Sequence, residues 1–321
     1  MTDRAPPTGN SDAAAVEVRD LVKSYGGRAV VDRLSFQVQP GEVFALLGPN
    51  GAGKTTTVEI LEGYRKADAG HVRVLGLDPT RQAPRLKPRI GLMLQQGGLF
   101  PQITPAEALR LFAAFYPDAE DPDELLDQLH LRQVARTRFR QLSGGQKQRL
   151  SLGLALVGKP RLVFLDEPTS AMDPQARRDT WGIIRALTSR GTTVLLTTHS
   201  MEEAEQLANR VAIIDRGRLV ALDSPAGLRE AVANEVRFAS RPRVNEADVA
   251  AALGLPPEAV ARENDGTIVL HAEPSPQLIA RLTAWLAAQH SLLTELRAGS
   301  RSLEQAFLAL TGSTETTPDS A

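Results

Sequence analysis

Residues Gly48 to Thr57 read GPNGAGKTTT: glycines spaced around one lysine, with a run of threonines behind it. Gly48, Gly53, Lys54 and Thr55 fit the spacing G-x-x-x-x-G-K-[ST]. An apolar run, EVFALL, precedes the stretch and reads as a strand, while KTTTVEILEGY follows it and reads as a helix. Glycines let backbone between a strand and a helix curl until several N–H groups point inward, and the helix N-terminus adds the positive end of its dipole. Such a cradle suits phosphates. Lys54 then reaches the β and γ phosphates and the Thr55 hydroxyl faces Mg²⁺. The expected phosphate-binding set is Gly48, Pro49, Asn50, Gly51, Ala52, Gly53, Lys54, Thr55 and Thr56.

Two further stretches extend the site. LVFLDEP places Asp166 at the C-terminal end of an apolar run, where a second carboxylate directed at Mg²⁺ belongs. LSGGQKQR, Leu142 to Arg149, opens a helix whose Ser143, Gly144 and Gly145 make another small nest of N–H donors, followed by Gln146.

With phosphate loop, SGG nest and strand-end acid in this order, the sequence resembles the ATP-binding cassette family. The resemblance covers about residues 16–312 and implies further roles. Gln95 in IGLMLQ matches the glutamine that contacts Mg²⁺ and attacking water. Glu167 matches the general base and His199 in LLTTHS the switch histidine at the γ-phosphate. Tyr25 in LVKSYG matches the aromatic residue stacked on adenine, and Ser143 to Gln146 with Asp173 match residues that meet the nucleotide across a dimer. In SAMD, Ser170 to Asp173, Ala171 and Met172 stand where the family usually has Gly and Leu. Phrases such as LLTTHSMEEAEQLANRVAIIDRGRLVA and SLEQAFLALTG look like the drug- and antibiotic-exporter branch, similar to daunorubicin-resistance subunits.

The family expectation is an α/β P-loop cassette with a mixed sheet and an inserted helical subdomain. Two copies would sandwich two ATP·Mg²⁺ head to tail, because loop and signature occur once in the chain and lie too far apart on one cassette to hold the same ATP. A separate polytopic membrane permease would carry the cargo, a drug, antibiotic or lipid. The cassette would then lie on the cytoplasmic inner face of the membrane. The alternative is a soluble cassette ATPase acting on ribosomes or nucleic acid.

Domain limits follow from pattern shifts. Residues 1–13 and 313–321 are polar, aperiodic and expected to be disordered. The cassette is expected over 14–222, with helical patterns from about 97 to 150. From 223 to 312 the order of strand and helix patterns is β-α-β-β-α-β, a ferredoxin-like accessory domain with a hairpin turn at Asn264, Asp265 and Gly266.

Composition narrows the remaining options. A net charge of -1 gives no global basic field for nucleic acid, and no nucleic-acid partner is expected. The absence of cysteine removes disulfides and thiolate chemistry. No run of about 18 apolar residues occurs, so a role at a membrane requires another anchor.

Overall fold

A computed structural model describes residues 14–93, 99–170, 172–230, 235–263, 265–298 and 302–311. The expected disordered tails, Gln95, Ala171 and Asn264 lie outside these residues. The chain divides into two compact units, Met1–Pro225 and Ala226–Ala321.

The first unit holds two sheets. Strands β1 (Val16–Tyr25), β2 (Arg28–Val38) and β4 (Ala69–Val74) form an antiparallel sheet in the order β2-β1-β4. The sequence reading did not separate this sheet from the main one. Its signal is the period-two alternation of VEVRDLVKSY and RAVVDRLSFQV around the Gly26-Gly27 turn. The second sheet contains β3 (Val43–Leu47), β5 (Ile90–Met93), β6 (Leu162–Asp166), β7 (Thr193–Thr197), β8 (Arg210–Asp215) and β9 (Arg218–Asp223), ordered β5-β6-β7-β3-β8-β9. All neighbours are parallel except β8 and β9. Every residue of β3 and β7 is buried, which explains their unbroken apolar runs: layers cover both faces.

Phe44 and Leu46 of β3 share a core with Leu21, Leu34 and Phe36 of the antiparallel sheet and with Val58, Ile60 and Leu61 of helix α1 (Lys54–Leu61). The Phe36 and Phe44 rings stack at 5.3 Å. Each such buried side chain contributes about 1.5–3 kcal/mol relative to exposure. Helix α2 (Ala83–Leu86) leads to β5.

Between β5 and β6 the chain is mostly helical: α3 (Pro105–Ala113), α4 (Pro122–Gln128) and α5 (Gly144–Leu156). Thr104 and Glu107 form a capping box at the start of α3, and Asp121 accepts from the Asp123 and Glu124 amides at the start of α4. Helices α6 (Pro174–Ser189) and α7 (Met201–Leu207) follow β6 and β7.

The second unit takes over within α8 (Pro225–Glu230), close to the expected boundary at 222/223. Its elements β10 (Val236–Arg241), α9 (Glu246–Leu253), β11 (Val260–Arg262), β12 (Ile268–Leu270), α10 (Pro276–Ala288) and β13 (Leu292–Ala298) run β-α-β-β-α-β. The antiparallel sheet is ordered β11-β12-β10-β13. Val249 and Leu253 of α9 and Leu278, Leu282 and Leu286 of α10 pack on Val236, Phe238, Ile268 and Leu270 of the sheet. Helix α11 (Leu303–Thr311) is the last described element.

In the first unit, α5 passes so close to β5 that a Cβ on Gly91 would meet the Ala155 carbonyl oxygen at 2.0 Å. Gly91→Ala is therefore expected to cost about 2–3 kcal/mol by forcing backbone apart. Chemical denaturation of the two proteins measures this directly, and equal midpoints would show that α5 shifts freely against the sheet.

Candidate functional site

Three parallel strands deliver the site. Asp166 ends β6 opposite Thr197 of β7, and Thr197 stands opposite Leu46 of β3. With strands about 4.8 Å apart, Asp166, Thr197 and Leu46 reach one level within about 10 Å. The glycine-rich loop leaves β3 at that level, at the carboxyl ends of the strands where open α/β sheets collect ligands.

Steric constraint fixes the loop's residue types. A Cβ on Gly48 would meet the Ile214 carbonyl oxygen at 2.3 Å. Gly53 caps α1 at φ +102°, with the Val30 carbonyl oxygen 2.6 Å from where a Cβ would sit. Asn50, Gly51 and Thr55 are exposed, whereas Ala52 is buried and Thr57 bonds the Gly53 carbonyl at 2.9 Å. The sequence groups the threonines; the fold gives Thr55 to solvent and Thr57 to the helix.

Lys54 Nζ donates to the carbonyls of Gly48 at 2.7 Å and Pro49 at 3.2 Å. Burial lowers the pKa of its ammonium, and the charges of Glu167 and Asp166 act in the opposite direction. Lys54 thus lies within the field of Asp166, the last residue of β6, and of Glu167 just after it.

Asp166 Oδ1 accepts a hydrogen bond from Thr197 Oγ1. Glu167 has φ +51°, rare for a residue with a side chain, and the conformation is held from both ends. Its N–H donates to the Thr197 carbonyl at 3.0 Å, and its own carbonyl accepts from Ser170 N at 3.2 Å and Ser170 Oγ at 3.1 Å. His199 Nδ1 lies 2.7 Å from Glu167 Oε2; the glutamate side chain is 13% exposed and the histidine 71%. The turn thus presents a sheltered carboxylate beside an accessible imidazole.

Tyr25 ends β1 and is 42% exposed, with Lys23 Nζ 5.4 Å and Arg65 Cζ 5.7 Å from its ring centroid. Ser143 caps α5: its hydroxyl accepts from the Gln146 amide at 3.3 Å, and Gln146 Oε1 accepts from Ser143 N at 2.9 Å. Ser143 and Gly144 are exposed, and the serine hydroxyl, acting as acceptor in the cap, keeps its own proton to donate. Asp173 caps α6 through the Ala176 and Gln175 amides at 2.9 and 3.0 Å, which hold its carboxyl below the usual carboxylate range.

The unusual Met172 is buried. Thr180 Oγ1 contacts its sulfur at 3.3 Å, and its Cγ lies 3.5 Å from where a Gly145 side chain would begin. Gln148 Nε2 of α5 donates to Ser170 Oγ at 3.1 Å. The segment after Glu167 is thereby fastened to the signature helix.

A family model described as ABC transporter matches residues 31–170. The daunorubicin/doxorubicin resistance ATP-binding protein of Streptomyces peucetius is 36% identical over 311 residues, covering 93% of this chain and 92% of that protein. The chain belongs to the ABC transporter family. The 311-residue match is longer than the first unit and so runs on into the second. The Nod factor export ATP-binding protein I of Paraburkholderia xenovorans is 44% identical over 228 residues, 70% of this chain and 74% of that protein. A solved ATP-binding subunit of an ABC transporter superposes with TM-score 0.62 at 27% identity, over 68% of this chain and 93% of that one. A dimeric post-hydrolysis cassette bound to ADP and Pi gives 0.60 at 25% identity, over 65% and 98%. The protein is an ABC ATPase with the P-loop cassette fold, of the exporter ATP-binding subunit group, and its hydrolysis of ATP is coupled to transport.

Glu62 was not visible as a site residue in the sequence. It ends α1 with 4% of its surface exposed, and burial first, then the charges of Asp166 and Glu59, push its carboxyl up to about 8. Its only sequence signal is an acid inside an apolar helix face. Because this pKa exceeds the unfolded value of 4.5, the native state holds a proton that the unfolded chain has lost. Stability therefore falls as pH rises through the window from 4.5 to about 8. Glu62→Gln should flatten that fall and gain on the order of 3 kcal/mol over the parent at pH 8 relative to pH 5. Denaturation of both nucleotide-free proteins across this range checks it; parallel curves would mean that Glu62 ionises normally.

Proposed function

We propose that this chain is the ATP-hydrolysing subunit of a bacterial exporter whose membrane-spanning part is a separate polytopic permease. The observation that carries the reading is the common register of β3, β6 and β7, which brings the loop leading to Lys54 to the level of Asp166 and Glu167, with His199 Nδ1 2.7 Å from Glu167 Oε2. In this reading Tyr25 offers its exposed ring to adenine. The loop from Gly48 to Thr56 holds the phosphates with backbone N–H groups and Lys54. Glu167 polarises a water for in-line attack on the γ-phosphate and takes its proton, and His199 contacts the γ-phosphate. ATP and water give ADP and phosphate.

The donor set fits Mg²⁺. The Thr55 hydroxyl and the Asp166 carboxylate are hard oxygen ligands, and Mg²⁺ ordinarily takes one or two protein oxygens together with phosphates and water. Gln95 would be a further ligand. Bound there, the ion would neutralise charge between the β and γ phosphates.

A second copy completes the site. Its Ser143, Gly144, Gly145 and Gln146, at an exposed and capped helix start, would meet the γ-phosphate, and its Asp173 would lie at the join between copies. Closure around two ATP and opening after hydrolysis would drive the permease. No helix among the described residues is long and apolar enough to cross a membrane, and Phe100 and Phe115 are 78% and 74% exposed on the inserted segment, consistent with a protein partner at the inner face of the membrane. In this reading the cargo is a drug, antibiotic or lipid, and the daunorubicin/doxorubicin resistance relative supports the drug or antibiotic class. The ribosome or nucleic-acid reading has less support. Arg132, in the basic stretch LRQVARTRFR from Leu131 to Arg140, is committed to Asp123 and Asp127 at 2.6 Å each.

Glu167→Gln is expected to keep ATP binding, lose nearly all turnover and leave an ATP-dependent dimer on size-exclusion chromatography. Full turnover in that variant would remove Glu167 as the base. When the tagged variant is purified with ATP from detergent-solubilised membranes, a polytopic membrane protein should accompany it in matching amount; ribosomes or DNA instead would favour the other reading. Lys54→Ala should weaken ATP binding about 10- to 100-fold through lost charge-assisted hydrogen bonds. Unchanged affinity in a titration would contradict the assignment of the loop.

A further inference from the structure

Glu203 is a carboxylate with 1% of its surface exposed, in the first turn of α7 and four residues after His199. Burying a carboxylate is costly unless donors satisfy it. Two donors converge on one of its oxygens: Thr169 Oγ1 at 2.6 Å and Trp181 Nε1 at 3.2 Å. Thr169 and Trp181 are themselves 3% and 4% exposed. Thr169 lies two residues after Glu167, so the shorter bond joins the segment carrying Glu167 to the segment carrying His199.

The connectivity closes a ring. From Glu167 the chain runs through Pro168 to Thr169, crosses by the hydroxyl to Glu203, returns along Glu202, Met201 and Ser200 to His199, and crosses back by the 2.7 Å contact of Nδ1 with Glu167 Oε2. Within it, Ser200 Oγ accepts from Glu203 N at 3.2 Å, and Ser200 N donates to Thr198 Oγ1 at 3.0 Å. The other links between the two segments, from Thr197 to Asp166 and from Glu167 N to the Thr197 carbonyl, lie at the strand ends. On the far side the Thr169–Glu203 bond is the described contact nearest Glu167; Arg177 Nη1, farther along on α6, also reaches Glu202 Oε2 at 3.5 Å. The Trp181 bond ties the same oxygen to α6 and does not cross the ring.

We propose that Glu203, through Thr169, is a positioning residue for ATP hydrolysis: it sets the separation of the Glu167 and His199 segments without touching nucleotide. The inference rests on the reading of Glu167 as the base. Loss of the bond frees one turn to move against the other. Displacements of about 1 Å at a reacting centre can cost up to 100-fold in rate. The phosphate loop is held elsewhere, by β3 and α1, so binding of ATP is untouched.

The two bonds to one oxygen provide the test. Thr169→Val and Trp181→Phe each delete one donor to Glu203, and the melts give the stability cost of each, yet only the first opens the ring. Steady-state hydrolysis of Mg·ATP and thermal melts are measured for both, with Glu167→Gln alongside. Thr169→Val is expected to lower kcat tenfold or more with KM within twofold, Trp181→Phe to keep kcat within twofold, and Thr169→Ser, which retains the hydroxyl, to restore turnover. Glu203→Met removes the acceptor from the other side and should reproduce the kcat loss, so the test stands even where Thr169→Val folds poorly. Parent-like kcat in Thr169→Val and Glu203→Met, with Glu167→Gln inactive, overturns the strut and leaves the base in place. Equal kcat losses in Thr169→Val and Trp181→Phe, tracking their melting temperatures, assign Glu203 to stability alone and also overturn it. Full turnover in Glu167→Gln removes the base and the strut with it.

Discussion

Parallel pairing of β6, β7 and β3 in a common register is the constraint on which the site depends. Asp166, Thr197 and Leu46 sit at one level, so the loop after β3, the acid after β6 and the histidine after β7 share a small volume. None of these groups is near another in sequence. A slip of one residue would also turn every side chain of the moving strand to the opposite face. The buried runs of β3 and β7 make such a slip costly, and the core thereby maintains the geometry of the site.

The loop and helix starts were legible in the sequence because their chemistry is local. Gly48 to Thr55, the capping box of Thr104 and Glu107, the Ser143 cap and the Asp173 cap each depend on residues within a few positions. The alternation of helix and strand patterns likewise gave the β-α-β-β-α-β order of the second unit. The antiparallel sheet of β1, β2 and β4 was missed because β4 pairs with β1 across a long interval that contains the phosphate loop. Nothing in a local window links them.

Buried acids were illegible for a related reason. In sequence Glu62 is a lone acid on an apolar helix face and Glu203 one of several acids at a helix start, and only the fold shows that one lies within the field of Asp166 and the other receives Thr169 and Trp181. Met172 is similar. As a departure from a family pattern it gives no direction, but buried against Thr180 and beside Gly145 it fills the space between α5 and α6.

That packing has a mechanical meaning. Ser170 is bound at once to Gln148 on the signature helix and to the carbonyl of Glu167, with Met172 wedged behind it. A rotation of α5 would pull on Ser170 through Gln148 and, through Ser170, on the turn that holds the carboxylate. In the closed pair proposed above, the helix start meeting one nucleotide would be linked through these bonds to the acid serving the other, so that a change in one pocket would be felt in its neighbour.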